Sequence, residues 1–172
     1  MKLNEIVKQA NGTYVGVKLD KESCKRIKEL CKIIDVPNRV TTEKLHSTII
    51  YSRKYVPELK ADLTNYPIKA KAKEFHIFNT QDGKKALVLK LDCPALVDRH
   101  NHIMSEYGTT YDFPEYIPHV TISYDCGDFE PSDFDGELPE ITFASEYVED
   151  LVLDWQNKVK EEKVHEQYRK LA

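Results

Sequence analysis

The chain has 172 residues, 41% hydrophobic and 31% charged; that length suits one domain with a packed core and excludes a disordered chain, a collagen-like repeat or a coiled-coil rod. Lys and Arg number 25 against 29 Asp and Glu, a formal charge of −4, so a general binder of long nucleic acid is not expected, although a small anion in a local pocket remains open. No run approaches the ~20 apolar residues that span a bilayer, and the opening MKLNEIVKQANG has no apolar signal core, so no membrane partner is expected.

Met1–Ala10 reads as a short helix stopped by the turn pair Asn11-Gly12. Thr13–Leu19 alternates as a strand, with Val15, Val17 and Leu19 on one face and Tyr14, Gly16 and Lys18 on the other. Asp20 is placed to cap a helix whose stripe is Cys24, Ile27, Leu30, Cys31 and Ile34, ending before Pro37. His46–Ser52 is a strand, and Ile68–Phe78 alternates again before a hairpin turn at Asp82-Gly83. Ala86–Asp92 is a strand, and Pro94–Gly108 a helix with Pro in its first turn and Gly at its end. His119–Asp125 is a strand, Ile141–Trp155 one or two strands, and the tail after Trp155 charged and helical. The cysteines Cys24, Cys31, Cys93 and Cys126 form no CxxC pair and read as reduced core thiols.

A shift of 73 positions lays His46 on His119, Thr48 on Thr121 and Ile27 on His100. Each half then reads β-α-β-β, too small to stand alone. The expected architecture is α+β: a single bilobal domain over residues 1–172, with halves at about 13–81 and 85–155 and a helical tail at 156–172. Antiparallel sheets would surround a central groove, with the helices outside.

Residues two apart on a strand share a face. His46, Thr48 and Ile50 are therefore expected on one side of their strand, and His119, Thr121 and Ser123 on one side of theirs. Each strand would present an imidazole beside a hydroxyl, and a twofold arrangement would set the two pairs across the groove. Near neutral pH one imidazole can take a proton from an attacking hydroxyl while the other protonates the leaving oxygen, each role worth ~10²–10⁴-fold. The threonine hydroxyls can donate to non-bridging phosphate oxygens. No carboxylate cluster or HExxH spacing suggests a metal, and no cofactor is expected. Which His is base and which acid stays open.

The segments HSTIIY and HVTISY resemble the paired H-x-[ST] motifs of the 2H phosphoesterases, over roughly Thr13 to Trp155. Within that superfamily, NEIVKQANGTYVGVKL and VPNRVTTEKLHSTIIYSRKY are similar to the anti-CBASS phosphodiesterases of tailed phages, which degrade cyclic oligonucleotide alarm signals of bacteria. The resemblance implies a 3′-5′ phosphodiesterase acting on cyclic di- and trinucleotides in the host bacterial cytoplasm, without an obligate protein partner. It carries His46, Thr48, His119 and Thr121 over as the catalytic set, and Tyr14, His76, Glu149 and Trp155 as substrate-binding residues. Two alternatives remain: a 2H enzyme acting on RNA 2′,3′-cyclic phosphates or 2′-5′ linkages, and a non-catalytic sponge.

Read without the resemblance, Tyr14 shares its face with Gly16, which leaves room for a ligand near the sheet. Trp155, the single Trp, reads as a core or rim aromatic, and Glu149 as a solvated carboxylate able to accept from a base. Lys18, Lys69, Lys71 and Lys73 read as an exposed face that also protects a sheet edge. His100, His102 and His165 read as surface or boundary groups, and the acidic stretch from Asp125 to Glu140 as a solvated loop.

Overall fold

The computed structural model describes residues 11–152, so the expected N-terminal helix, Trp155, His165 and the charged tail lie outside the described residues. Asp20 separates strand β1 (Asn11–Leu19) from helix α1 (Lys21–Ile34), and its carboxylate accepts the Ser23 N–H at 2.7 Å as the expected cap. Ser23 is itself buried, and its hydroxyl accepts the Thr142 N–H at 2.7 Å, while the Asp20 N–H donates to the Thr142 carbonyl at 2.8 Å. The helix start is thus clamped to the last strand, β6 (Glu140–Val152). Ile27, Leu30 and Cys31 of the apolar stripe are buried; each large aliphatic side chain so placed contributes about 1.5–3 kcal/mol.

The remaining elements are β2 (His46–Ser52), β3 (Ile68–Asn79), β4 (Lys85–Asp92), α2 (Pro94–Tyr107) and β5 (His119–Ser123). The Asp82-Gly83 turn closes β3 on β4, with the Thr80 N–H donating to the Lys84 carbonyl at 2.8 Å and Gly83 at φ +81°. β5 stops two residues short of the expected Asp125, because Tyr124 leaves the strand to donate its N–H to the Asn38 carbonyl.

All six strands form one antiparallel sheet in the order β2-β1-β6-β3-β4-β5. In chain order the elements run β-α-β-β twice, and each half gives its last strand to the other: β6 pairs with β1, and β3 with β4. The two expected sheets are joined where Ile68–Lys71 of β3 pairs with Phe143–Glu140 of β6. The segments after the helices also cross over. The Val40 N–H, beyond α1, donates to the Ile122 carbonyl at 2.9 Å, and the Thr110 N–H, beyond α2, donates to Ser52 Oγ at 3.0 Å.

Lys18, Lys69, Lys71 and Lys73 are exposed, but β1 and β3 are interior strands, so none of them guards an edge; β2 and β5 are the edges. His100 is buried rather than at the surface. Its Nδ1–H donates to the Ile49 carbonyl at 2.7 Å and its ring stacks on Tyr116 at 4.2 Å. The repeat explains this, since His100 takes the place of Ile27 on the buried stripe and the ring is accepted there because its polar edge is satisfied. Cys31, Cys93 and Cys126 are buried and Cys24 half-buried, all as free thiols. No helix of the described residues is long and apolar enough to cross a membrane.

Candidate active site

The strand registers set the site. Along β1 and β2, Lys18 faces His46, Gly16 faces Thr48 and Val15 faces Ile50, which leaves Ile49 as an extra residue. Along β4 and β5, Lys90 faces His119, Val88 faces Thr121 and Leu87 faces Ser123, which leaves Ile122 extra. A β-bulge therefore follows each H-x-T at the same step, and a bulge reverses the side that later residues face. Ile50 accordingly lies in the core, and Tyr51 takes the place expected for it beside Thr48, its ring 6.4 Å from that of Tyr14. Ser123 likewise turns away from His119 and Thr121, and its hydroxyl donates to the Pro37 carbonyl at 2.6 Å.

Both imidazoles are held alike. Nδ1 of His46 lies 2.7 Å from the Lys44 carbonyl, and Nδ1 of His119 lies 2.9 Å from the Ile117 carbonyl. A carbonyl oxygen only accepts, so Nδ1 carries the hydrogen in each ring and Nε2 is the nitrogen that exchanges protons. Burial pushes the His46 pKa down, opposed by the Lys44 carbonyl and the charge of Glu149 and assisted by Lys18. His119, 7% exposed, is pushed down to about 4, mainly by burial; its bond to Ile117 opposes this, and the charges of His46, Lys90 and His76 add to it. The two rings are thus near enough for the charge of one to act on the other.

The hydroxyls differ. Thr48 Oγ1 lies 2.9 Å from the Tyr14 hydroxyl, whereas Thr121 Oγ1 is buried without a hydrogen-bond partner. Tyr14 is 5% exposed, its ring within 6.3 Å of His46 and 5.9 Å of Tyr147. Glu149 stands opposite Tyr14 on β6 and is exposed. His76 stands opposite Val88 on β3, half-buried, with its pKa lowered by burial and by Lys90. The described residues thus gather His46, Thr48, His119, Thr121, Tyr14, Glu149 and His76 on one face of the sheet, while Trp155 lies outside them.

Two residues on this face, Tyr147 and Lys90, were not singled out from sequence. A Cβ at Gly16 would come within 2.6 Å of the Tyr147 hydroxyl, so the room expected there for a ligand is where Tyr147 lies. The Lys18 ammonium sits 5.5 Å above the Tyr147 ring centre. Lys90 is its counterpart beside His119, and the matched stretches VGVKLD and LVLKLD carry that signal at a shift of 72 rather than 73. No comparable signal marks Tyr147. The lobes are unequal: where the first has Tyr14, Tyr147 and Glu149, the second has Ala86, His76 and Phe78 at the matching ladder positions. Phe78, Ala86 and Val88 form a small apolar cluster.

Comparison with known proteins finds both a family and a shared fold. Residues 11–158 match the family model of the anti-CBASS protein Acb1. The Acb1 protein of Vibrio phage KVP40 is 40% identical over 155 residues, covering 90% of this chain and 97% of its own. That of Enterobacteria phage T4 is 37% identical over 152 residues, covering 88% and 95%. Among solved structures, E. coli LigT superimposes in its apo form with a TM-score of 0.51 at 10% identity over 81% of this chain and 87% of LigT. LigT complexed with 3′-AMP gives 0.51 at 12% over 81% and 86%; at such identities the likeness speaks for the two-lobed 2H phosphoesterase fold. With the family model spanning most of its length and phage relatives matching nearly end to end, the chain belongs to the anti-CBASS protein Acb1 family.

Proposed function

We propose that this protein is a phosphodiesterase that opens the 3′-5′ bonds of cyclic di- or trinucleotides and so removes the signal on which a bacterial anti-phage response depends. One observation carries the reading: two matched H-x-T strands present imidazoles with the same Nδ1 anchoring on one face, within electrostatic reach of each other. The anti-CBASS name of the relatives and the nucleotide-bound LigT structure support the substrate class.

In the proposed reaction a ribose 2′-hydroxyl attacks the adjacent phosphorus. His119, the more strongly held neutral ring, takes the hydroxyl proton on Nε2. The P–O5′ bond breaks, and His46 gives its Nε2 proton to the departing O5′. Glu149 and the Lys44 carbonyl favour that proton on His46. Thr48 and Thr121 donate to the non-bridging oxygens as their charge grows. The product is linear, with a 2′,3′-cyclic phosphate that water then opens to a terminal phosphate while the two rings exchange roles. Tyr14, Glu149, His76 and Trp155 are the proposed base contacts. Among the described residues no three His, Cys, Asp or Glu side chains converge on a point, and the proton transfers are assigned to the imidazoles.

The test is turnover of 3′,3′-cyclic GMP–AMP and cyclic trinucleotides with and without EDTA, with product analysis. Wild type is expected to yield linear products in both conditions, and His46→Ala and His119→Ala to lose at least about 10²-fold in rate while remaining folded. Full activity in either variant, or loss on chelation, overturns the mechanism. Cleavage confined to RNA ending in a cyclic phosphate makes this an RNA-end enzyme, and binding with the ligand recovered intact makes it a sponge.

A further inference from the structure

The two H-x-T strands are the two edges of the sheet, β2 at one end of its order and β5 at the other, so no ladder of strand hydrogen bonds joins them directly. Two side chains of the second half cross instead to the first, at the residues of its bulge. The Tyr116 hydroxyl donates to the Thr48 carbonyl at 2.6 Å, and His100 Nδ1–H donates to the Ile49 carbonyl at 2.7 Å. The two rings lie on each other, 4.2 Å apart and 5° from parallel, with Tyr111 edge-on to His100. Burial pushes the Tyr116 pKa well up, so the phenol keeps the hydrogen it donates. Tyr116 also adjoins Ile117, whose carbonyl accepts from His119 Nδ1 at 2.9 Å. One short stretch, 116–119, therefore grips the first H-x-T strand and holds the second imidazole.

The tie runs one way. A shift of 73 lays Tyr116 on Glu43 and His100 on Ile27. Glu43 is exposed and its carboxylate has no hydrogen to give, while Ile27 is an aliphatic core residue. At the bulge of β5 the Ile122 carbonyl accepts instead from a backbone donor, the Val40 N–H, at 2.9 Å. The matching bulge is thus closed without either side chain.

We infer that Tyr116 and His100 are positioning residues, which fix the strand of His46 and Thr48 against His119 by holding the Thr48 and Ile49 carbonyls from the other half. This rests on the reading of the two imidazoles as one acid–base pair on a phosphodiester. A misplacement of about 1 Å among groups that must reach one phosphorus can cost on the order of 10²-fold in rate. Base contacts elsewhere in the groove keep their own strands, so losing either donor is expected to act on kcat rather than on KM.

Tyr116→Phe keeps the stacked ring and removes the donated hydrogen. On 3′,3′-cyclic GMP–AMP its kcat is expected to fall at least about 10-fold with KM changed by less than about twofold. His100→Asn places an N–H where Nδ1 stands and is expected to keep kcat within about threefold of wild type, whereas His100→Leu, which has no donor, is expected to lose at least about 10-fold. Ile27→Val in the first helix serves as the match for lost stability. Both it and Tyr116→Phe are expected to melt about 2–4 °C below wild type, but Ile27→Val is expected to keep its kcat. Amide hydrogen exchange is expected to quicken at Thr48–Ile50 and at His119–Thr121 in Tyr116→Phe, beyond any change in Ile27→Val.

A Tyr116→Phe kcat no lower than that of Ile27→Val overturns the positioning role of Tyr116, and so does unchanged exchange along β2. His100→Asn as slow as His100→Leu overturns the role of the His100 donor. A wild type that cleaves no cyclic nucleotide overturns the proposed function instead, and the exchange comparison then still decides whether Tyr116 holds the two strands in place.

Discussion

His119 holds its proton weakly because burial leaves the imidazolium without water and because His46, Lys90 and His76 add positive charge around it. An unfolded histidine titrates near 6.5, and this one folds with a pKa of about 4. Between those values the unfolded chain carries the proton and the native one does not. Stability is therefore complete above pH 6.5, falls as pH drops towards 4 and levels off below it. The single group accounts for on the order of 3 kcal/mol across that window. His46 and His100, whose pKa values are also lowered by burial, act in the same direction. Urea unfolding of wild type and His119→Gln at pH 7 and pH 4.5 checks this: the variant is expected to lose markedly less stability between the two. Equal losses mean that His119 is not held neutral by the fold.

At the scale of strands, two matched lysines shape the charge around the imidazoles. Lys18 and Lys90 face His46 and His119 across their ladders, and the charge of each lowers the pKa of its neighbour. The groups acting on His119 are His46, His76 and Lys90, with Glu74 opposite Lys90 on β3. Lys90→Met is expected to raise the His119 pKa and to move the acid limb of the kcat/KM profile to higher pH. An unmoved limb removes Lys90 from the electrostatics of the site. Features that depend on near neighbours were legible in the sequence: the Asp20 cap, the Asp-Gly hairpin, both helices and the two H-x-T strands. The bulges were not, because Ile49 and Ile122 differ in no local way from the core residues beside them; only the partner strand reveals the extra residue. Tyr147 escaped for a related reason. Its place over Gly16 exists because β6, from the far end of the chain, pairs with β1. The buried His100 was legible in the repeat, through its alignment with Ile27, but polarity argued for the surface.

Across the whole molecule, exchange of last strands and of the segments beyond the helices means that neither half closes its own part of the groove. A buried ionic strut behind the sheet ties these parts together. Glu146 of β6, its side chain 0% exposed, accepts from Arg99 of α2 at 3.0 and 2.8 Å. It also accepts from the Tyr66 hydroxyl at 2.9 Å and the Asp62 N–H at 2.6 Å, both in the segment that joins β2 to β3. With four donors on one carboxylate its burial is satisfied, and neutralising it leaves the half-buried Arg99 without its counter-charge. Glu146→Gln keeps the shape but not the charge, and is expected to cost about 3–5 kcal/mol. Glu146 shares its side of β6 with the core rather than with Tyr147 and Glu149, so the folded fraction should keep its turnover. Replacing both partners, as in Glu146→Gln/Arg99→Met, removes the stranded charge and is expected to recover part of the loss. Urea midpoints for the two variants and wild type, read beside activity per folded molecule, test this. A single variant within 1 kcal/mol of wild type, roughly the worth of a surface pair, would mean that the strut does not hold the lobes together.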